Sequence, residues 1–139
     1  MSCYALDTNL IVRFLTGDHP TMSPAAAELF RQCALGKIDL LLEPAILAES
    51  IFVLVGYYRR PRGDVADALH DLITSCRLRV PNQRVLLGAL ERYKTTTVDF
   101  PDALIASIAV NEGIPVASFD RDFDRFKDVQ RFEPSTGDA

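Results

Sequence analysis

Four carboxylates stand where chemistry is possible. Asp7 follows the apolar segment Cys3–Leu6, Glu49 lies inside EPAILAESIFVL, Asp102 inside DFPDALIAS, and Asp120 inside VASFDRDF. Three have ordinary explanations. Asp7 can cap the helix that follows it, and Asp99 can cap the helix holding Asp102, with Asp102 as a first-turn acid favoured by the dipole. Asp120 and Asp122 can belong to a polar turn. Glu49 is harder to explain, because its helical neighbours Ala45, Ile46, Phe52 and Val53 are apolar. Burying a carboxylate among them costs roughly several kcal/mol unless it pairs with a base or coordinates an ion. Carboxylates packed together also destabilise a fold unless a cation compensates. His19 and His70 stand alone, and Cys3, Cys33 and Cys76 form no paired motif. The donor set is therefore oxygen only, which suits Mg²⁺ or Mn²⁺ rather than Zn²⁺. Such ions serve phosphoryl-transfer chemistry by activating water and neutralising developing charge.

Asp102 and Asp120 frame one helix–strand unit. The apolar run Ala103–Val110 predicts a buried helix, opened at Pro101 and stopped at Gly113. Pro115–Ser118 predicts a strand, with Asp120 just past its carboxyl end. In a parallel α/β sheet that edge is where sites form. Asp102 shares it if its helix starts on the same edge, as βα alternation requires.

The rest of the chain supplies the alternation. Cys3–Leu6 reads as a strand and Leu10–Leu15 as a helix, with Asn9 and Arg13 on one of its faces. Ser23 and Pro24 open a second helix, which stops at Gly36. Lys37–Leu42 is a strand, and Pro44 opens a third helix, apolar on nearly every side, running to Tyr58. A basic loop follows with Arg59, Arg60 and Arg62, after which Asp64 caps a fourth helix. Leu78–Val80 is a third strand, Asn82 caps a fifth helix, and Val129–Phe132 is a last edge strand. The expected class is α/β, a parallel sheet covered by helices on both faces with right-handed crossovers.

The chain has 139 residues, 48% hydrophobic and 24% charged, which fits a single globular domain over residues 1–134 with a frayed tail at 135–139. No apolar run reaches membrane-spanning length, and MSCYALDTN is no signal peptide. The cysteines read as buried thiols in a reducing, cytoplasmic setting. The net charge of −4 argues against non-specific nucleic-acid binding by bulk electrostatics, except that a bound divalent ion would cancel much of the excess.

LDTNLIVRFLTGD, EPAILAESIFVL, DFPDALIAS and VASFDRDF, in this order and at this length, resemble the PIN-domain ribonucleases, most closely their VapC-type toxin branch. The resemblance covers nearly the whole chain. It implies a three-layer sandwich around a five-stranded parallel sheet of order 3-2-1-4-5, with helices on both faces. It places an acidic quartet on Asp7, Glu49, Asp102 and Asp120, which would hold one or two Mg²⁺ or Mn²⁺ ions. Ser118 matches the family's small polar residue before the last acid, Asn9 falls where many relatives have serine, and Asp99 and Asp122 match extra acids of some relatives. The resemblance further implies an RNA endonuclease leaving 5′-phosphate and 3′-hydroxyl ends, a homodimer, and neutralisation by a VapB-type antitoxin. Arg13, Arg59, Arg60 and Arg62 are candidates to position the RNA backbone, and Tyr57 and Tyr58 to stack bases. A solvated helix end and core or dimer packing are their ordinary alternatives.

Two rival functions remain open. One is a haloacid-dehalogenase-like phosphohydrolase with Asp7 as nucleophile, where Asn9 occupies the place of an expected second aspartate. The other is a non-catalytic module whose acid pocket binds metal to regulate a partner.

Overall fold

The computed structural model describes residues 1–136, which fall into two compact units divided after Gln83. The glycines and prolines delimit the elements of the first. β1 (Ser2–Ala5) leads into α1 (Thr8–Thr16), which ends at Gly17 in the left-handed region (φ 62°), whose N–H bonds the Arg13 carbonyl at 3.1 Å. α2 (Met22–Ala34) starts one residue before the expected Ser23 cap. His19 fills the capping role instead, its Nδ1 accepting the N–H of Thr21 at 3.2 Å and of Met22 at 3.0 Å, so Nδ1 carries no proton. Ser23 donates its hydroxyl to the Arg13 carbonyl at 2.7 Å, tying α2 to α1.

β2 (Ile38–Leu41) pairs in parallel with β1, Ser2 opposite Ile38 and Ala5 opposite Leu41. The expected third strand shrinks to one parallel bridge, Leu41 with Arg79. The left-handed Arg77 (φ 55°) and Asn82 (φ 49°) flank it, and Pro81 has no N–H to extend the ladder. β2 therefore lies between β1 and this bridge. α3 (Pro44–Phe52) continues as a π-helical turn, Val53–Tyr57, where a single α-helix was expected. α4 (Arg62–Ser75) begins after Pro61, two residues before the predicted Asp64 cap. Leu40, Leu42, Leu47 and Leu69 are fully buried. Cys33 is buried and Cys76 half-buried, but Cys3 is exposed, against expectation.

The second unit carries α5 (Gln83–Thr95, its first residue at the boundary), α6 (Phe100–Glu112), β3 (Val116–Ala117), a 3₁₀ turn (Arg121–Arg125) and β4 (Arg131–Phe132). β3 and β4 pair in parallel, Val116 opposite Arg131. Val98, Ala106, Ala109, Val116, Phe123 and Phe126 form its apolar centre. The run expected to be buried is buried on one face only: Ala103, Ala106, Ser107 and Ala109 lie inside, while Ile105 and Ile108 are 45% and 43% exposed. The protein thus has an α/β fold, with six α-helices and short parallel sheets among the described residues. Among the described residues no helix is long and apolar enough to cross a membrane. Part of the expected frayed tail, 137–139, lies outside the described residues.

A polar contact joins α5 and α6. The Ser107 hydroxyl donates to the Val85 carbonyl at 2.6 Å, and a Cβ placed on Gly88 would stand 2.9 Å from that same oxygen. In a helix interior alanine is worth about 1 kcal/mol more than glycine. Gly88→Ala should forfeit that gain, because displacing the hydroxyl costs a hydrogen bond of about 1 kcal/mol. In a Ser107→Ala background the gain should return. Denaturant unfolding of the two single variants and the double variant measures this coupling, and additive effects would contradict it.

Candidate functional site

In the first unit, Asp7 and Glu49 line one cavity of about 620 Å³, together with Asn9, Arg13, Asp18 and Tyr57. Asp7 takes the N-cap position of α1 in an extended conformation (φ −98°, ψ 151°), which sets up a capping bond. Its side chain makes none, so the carboxylate is exposed and unengaged. Glu49 is also exposed, which overturns the expectation of burial. Two of the neighbours read as core turn outward with it, Ala45, which is exposed, and Phe52, 77% exposed, while Ile46 and Val53 are half-buried. Glu49 therefore escapes the desolvation cost and needs no structural base, and among the described residues it has no ion-pair partner.

The cavity has a polar wall that the sequence reading did not single out. Asp18, in the turn after α1, accepts from Arg13 Nη1 at 3.0 Å, the Thr16 hydroxyl at 2.8 Å and the Tyr58 hydroxyl at 2.9 Å. Thr16, Tyr58 and Arg13 together hold its carboxyl down at about 2. The π turn carries Tyr57, 79% exposed, into the same lining. Two buried side-chain atoms have no hydrogen-bond partner among the described residues, Thr8 Oγ1 and Arg13 Nε, and both residues line this cavity. Buried polar atoms left unpaired are rare, and a polar ligand is one way to satisfy them. Arg59, Arg60 and Arg62 lie outside this lining, and Arg60 Nη1 reaches back to the Leu15 carbonyl at 3.4 Å.

In the second unit, α6 and the 3₁₀ turn hold the other acids. Asp99 is the N-cap of α6 by position, again without a side-chain capping bond, and Asp102 stands in the first turn. Burial raises the Asp102 carboxyl above the ordinary carboxylate range, and the charges of Asp120, Asp99 and Asp122 raise it further. The structure therefore groups Asp102 with Asp120, Asp99 and Asp122. Ser118 has a positioning task, since its Oγ accepts the Asp120 N–H at 2.9 Å. Asp120 in turn accepts the Asp122 N–H at 2.8 Å, and Asp122 pairs with Arg125 at 3.4 Å.

Among the described residues no three His, Cys, Asp or Glu side chains stand as a ready metal cluster. The donors nonetheless fit a hard divalent ion, because they are carboxylates, and Asp7, Glu49, Asp102 and Asp120 have no basic partner among the described residues. Asp18, Glu28, Asp122, Asp124 and Asp128 each pair with an arginine. Asp7, Glu49 and Asp102 do not.

A family comparison matches residues 4–129 to the PIN domain. None of the curated proteins compared with the chain matches it.

The raised Asp102 carboxyl has a consequence for stability. The folded chain holds the proton more tightly than the unfolded one, so the group's favourable contribution is complete below the unfolded pKa of about 3.9 and is lost as pH rises through the raised folded value. At neutral pH the ionised group is a cost. Asp102→Asn should therefore melt above the wild type at neutral pH in divalent-free buffer, and the difference should close as the pH falls to about 4. Melting curves across this range check it; a variant that melts lower at neutral pH would mean the carboxylate makes stabilising contacts.

Proposed function

Because the chain belongs to the PIN domain family, whose members are generally metal-dependent nucleases, we propose that it is a Mg²⁺- or Mn²⁺-dependent RNA endonuclease and the toxin of a toxin–antitoxin pair of the VapC type. The observation that carries this reading is the crowding at Asp102, whose carboxyl is raised by burial and by the charges of Asp120, Asp99 and Asp122, while among the described residues it has no basic partner. Asp7, Glu49, Asp102 and Asp120 are the proposed metal-holding and catalytic acids. When bound, the ion supplies an activated water and screens the phosphodiester. Glu49, exposed and unpaired, can take a proton from that water or orient it. Ser118 and Asp99 shape the loops that present Asp120 and Asp102. Asn9 and Arg13, in the cavity wall, can bind a substrate phosphate, and Tyr57 can stack a base.

The same reading takes the chain as one nuclease domain over 1–134 with a sheet of order 3-2-1-4-5. The β1–β2–Arg79 arrangement and the β3–β4 pair support its two parts. A homodimer, a VapB-type antitoxin and a cytoplasmic location complete the proposal. The dehalogenase-like alternative gains nothing, because Asn9 leaves the aspartate pair incomplete.

Purified protein should cut single-stranded RNA with Mn²⁺ or Mg²⁺ and stop in excess chelator. Asp7→Asn and Glu49→Gln should each lower cleavage by on the order of a hundredfold, as for removal of a catalytic acid or base. Asp7→Asn should cost less than about 0.5 kcal/mol of stability, below the range for a true cap, because no capping bond exists to lose. Cleavage that persists in chelator, or survives both substitutions, would remove the proposal.

A further inference from the structure

A second cavity, of about 760 Å³, opens within the second unit between α5, α6 and the segment after the 3₁₀ turn. Its charge is opposite to that of the chain. Arg84, Arg92, Arg125 and Lys127 line it against only Glu91 and Asp128, in a protein of net charge −4. The cations are not equivalent. Arg92 is bound to Asp128 at 2.8 Å and lies over the Phe126 ring at 5.1 Å, so it serves as a fixed wall and covers that ring. Arg125 Nη1 donates to Thr97 Oγ1 at 2.6 Å and its Nε faces Asp122 at 3.4 Å. The side chains of Arg84 and Lys127 make no ion pair or hydrogen bond among the described residues. Unpaired cations on a polar floor that includes Asn111 and Thr95 suit a polyanion whose sugars also need partners. With Phe126 covered by Arg92, the lining offers no free aromatic face, so the grip acts on the backbone and not on the bases.

Position decides which polyanion. Arg125 joins the cavity to the acid group, because its partner Asp122 is one of the charges acting on Asp102. We infer that this cavity is a backbone-binding site for single-stranded RNA that grips phosphates flanking the scissile bond, with Arg84 and Lys127 as its phosphate contacts. The inference rests on the nuclease reading above. An acidic protein segment could use the same charges, but Val110 is the one exposed apolar side chain among the described residues of the lining, too little to anchor it.

The test uses the full chain in chelator, so that binding is read without cleavage. Fluorescence anisotropy with a labelled single-stranded RNA should show Arg84→Gln and Lys127→Gln each weakening binding by roughly threefold to tenfold. Each should also lower the slope of log affinity against log salt by about 0.7, the value for one lost phosphate contact on a single strand. A purely structural role would lower the melting temperature without changing that slope. With metal present, the two variants should lose part of the wild-type preference for a long RNA over a short oligonucleotide that spans only the cut site. Wild-type salt slopes in both variants would overturn the inference, as would an acidic peptide that occupies the cavity while RNA does not compete. A wild type that binds RNA through Arg84 and Lys127 but never cuts it would leave the cavity standing and sink the nuclease reading, so the two failures are distinguishable.

Discussion

The site depends on uncompensated negative charge. Asp102 is partly withdrawn from water at the start of α6, where the helix dipole favours an anion, yet burial and three neighbouring carboxylates still raise it. Several other acids are compensated. Asp18 is held by Arg13, Thr16 and Tyr58, Asp124 by Arg131, and Asp128 by Arg92. Among the described residues none of the chain's fifteen Lys and Arg side chains pairs with Asp102, Asp7 or Glu49. Local geometry then preserves the crowding: Ser118 fixes the Asp120 amide and Asp120 fixes that of Asp122, so the turn cannot relax without losing both bonds.

Much of the scaffold was legible because it is written in backbone chemistry. Pro44 and Pro101 open helices, and Gly17 and Gly113 close them in left-handed conformations no other residue adopts as cheaply. Strand positions followed from short apolar runs. Capping was misread. Ser23 faces the Arg13 carbonyl while the ring of His19, four residues earlier, caps the helix, and no residue pattern announces a histidine in that role. The third strand failed for a similar reason, since the left-handed turns at Arg77 and Asn82 are unusual for those residue types.

At the site, residue type was readable and environment was not. Asp7, Asp102 and Asp120 stand out by their position in the chain pattern, and among the described residues none of the three has a basic partner. The apolar neighbours of Glu49 do not bury it, because Ala45 and Phe52 are exposed and Ile46 and Val53 are only half-buried, so the burial cost never arises. Thr8 and Ser107 gave no signal, since a small hydroxyl inside a helical run looks like filler until its partner, or its lack of one, is seen. The Asp18 hub needs Tyr58, which is forty positions away, and the cationic cavity draws Arg84 and Lys127 from separate segments. Net charge gives no sign of that cavity, because a chain of −4 can still gather four cations against two acids in one place.

The most direct test of the account is the chemistry of the cut ends. RNA cleaved by the purified protein in Mg²⁺ can be analysed for its termini. Water delivered by a metal held on carboxylates leaves 5′-phosphate and 3′-hydroxyl ends, and that is the predicted result. Termini of 2′,3′-cyclic phosphate and 5′-hydroxyl would mean attack by the RNA's own 2′-hydroxyl, and would contradict the role given to the acids.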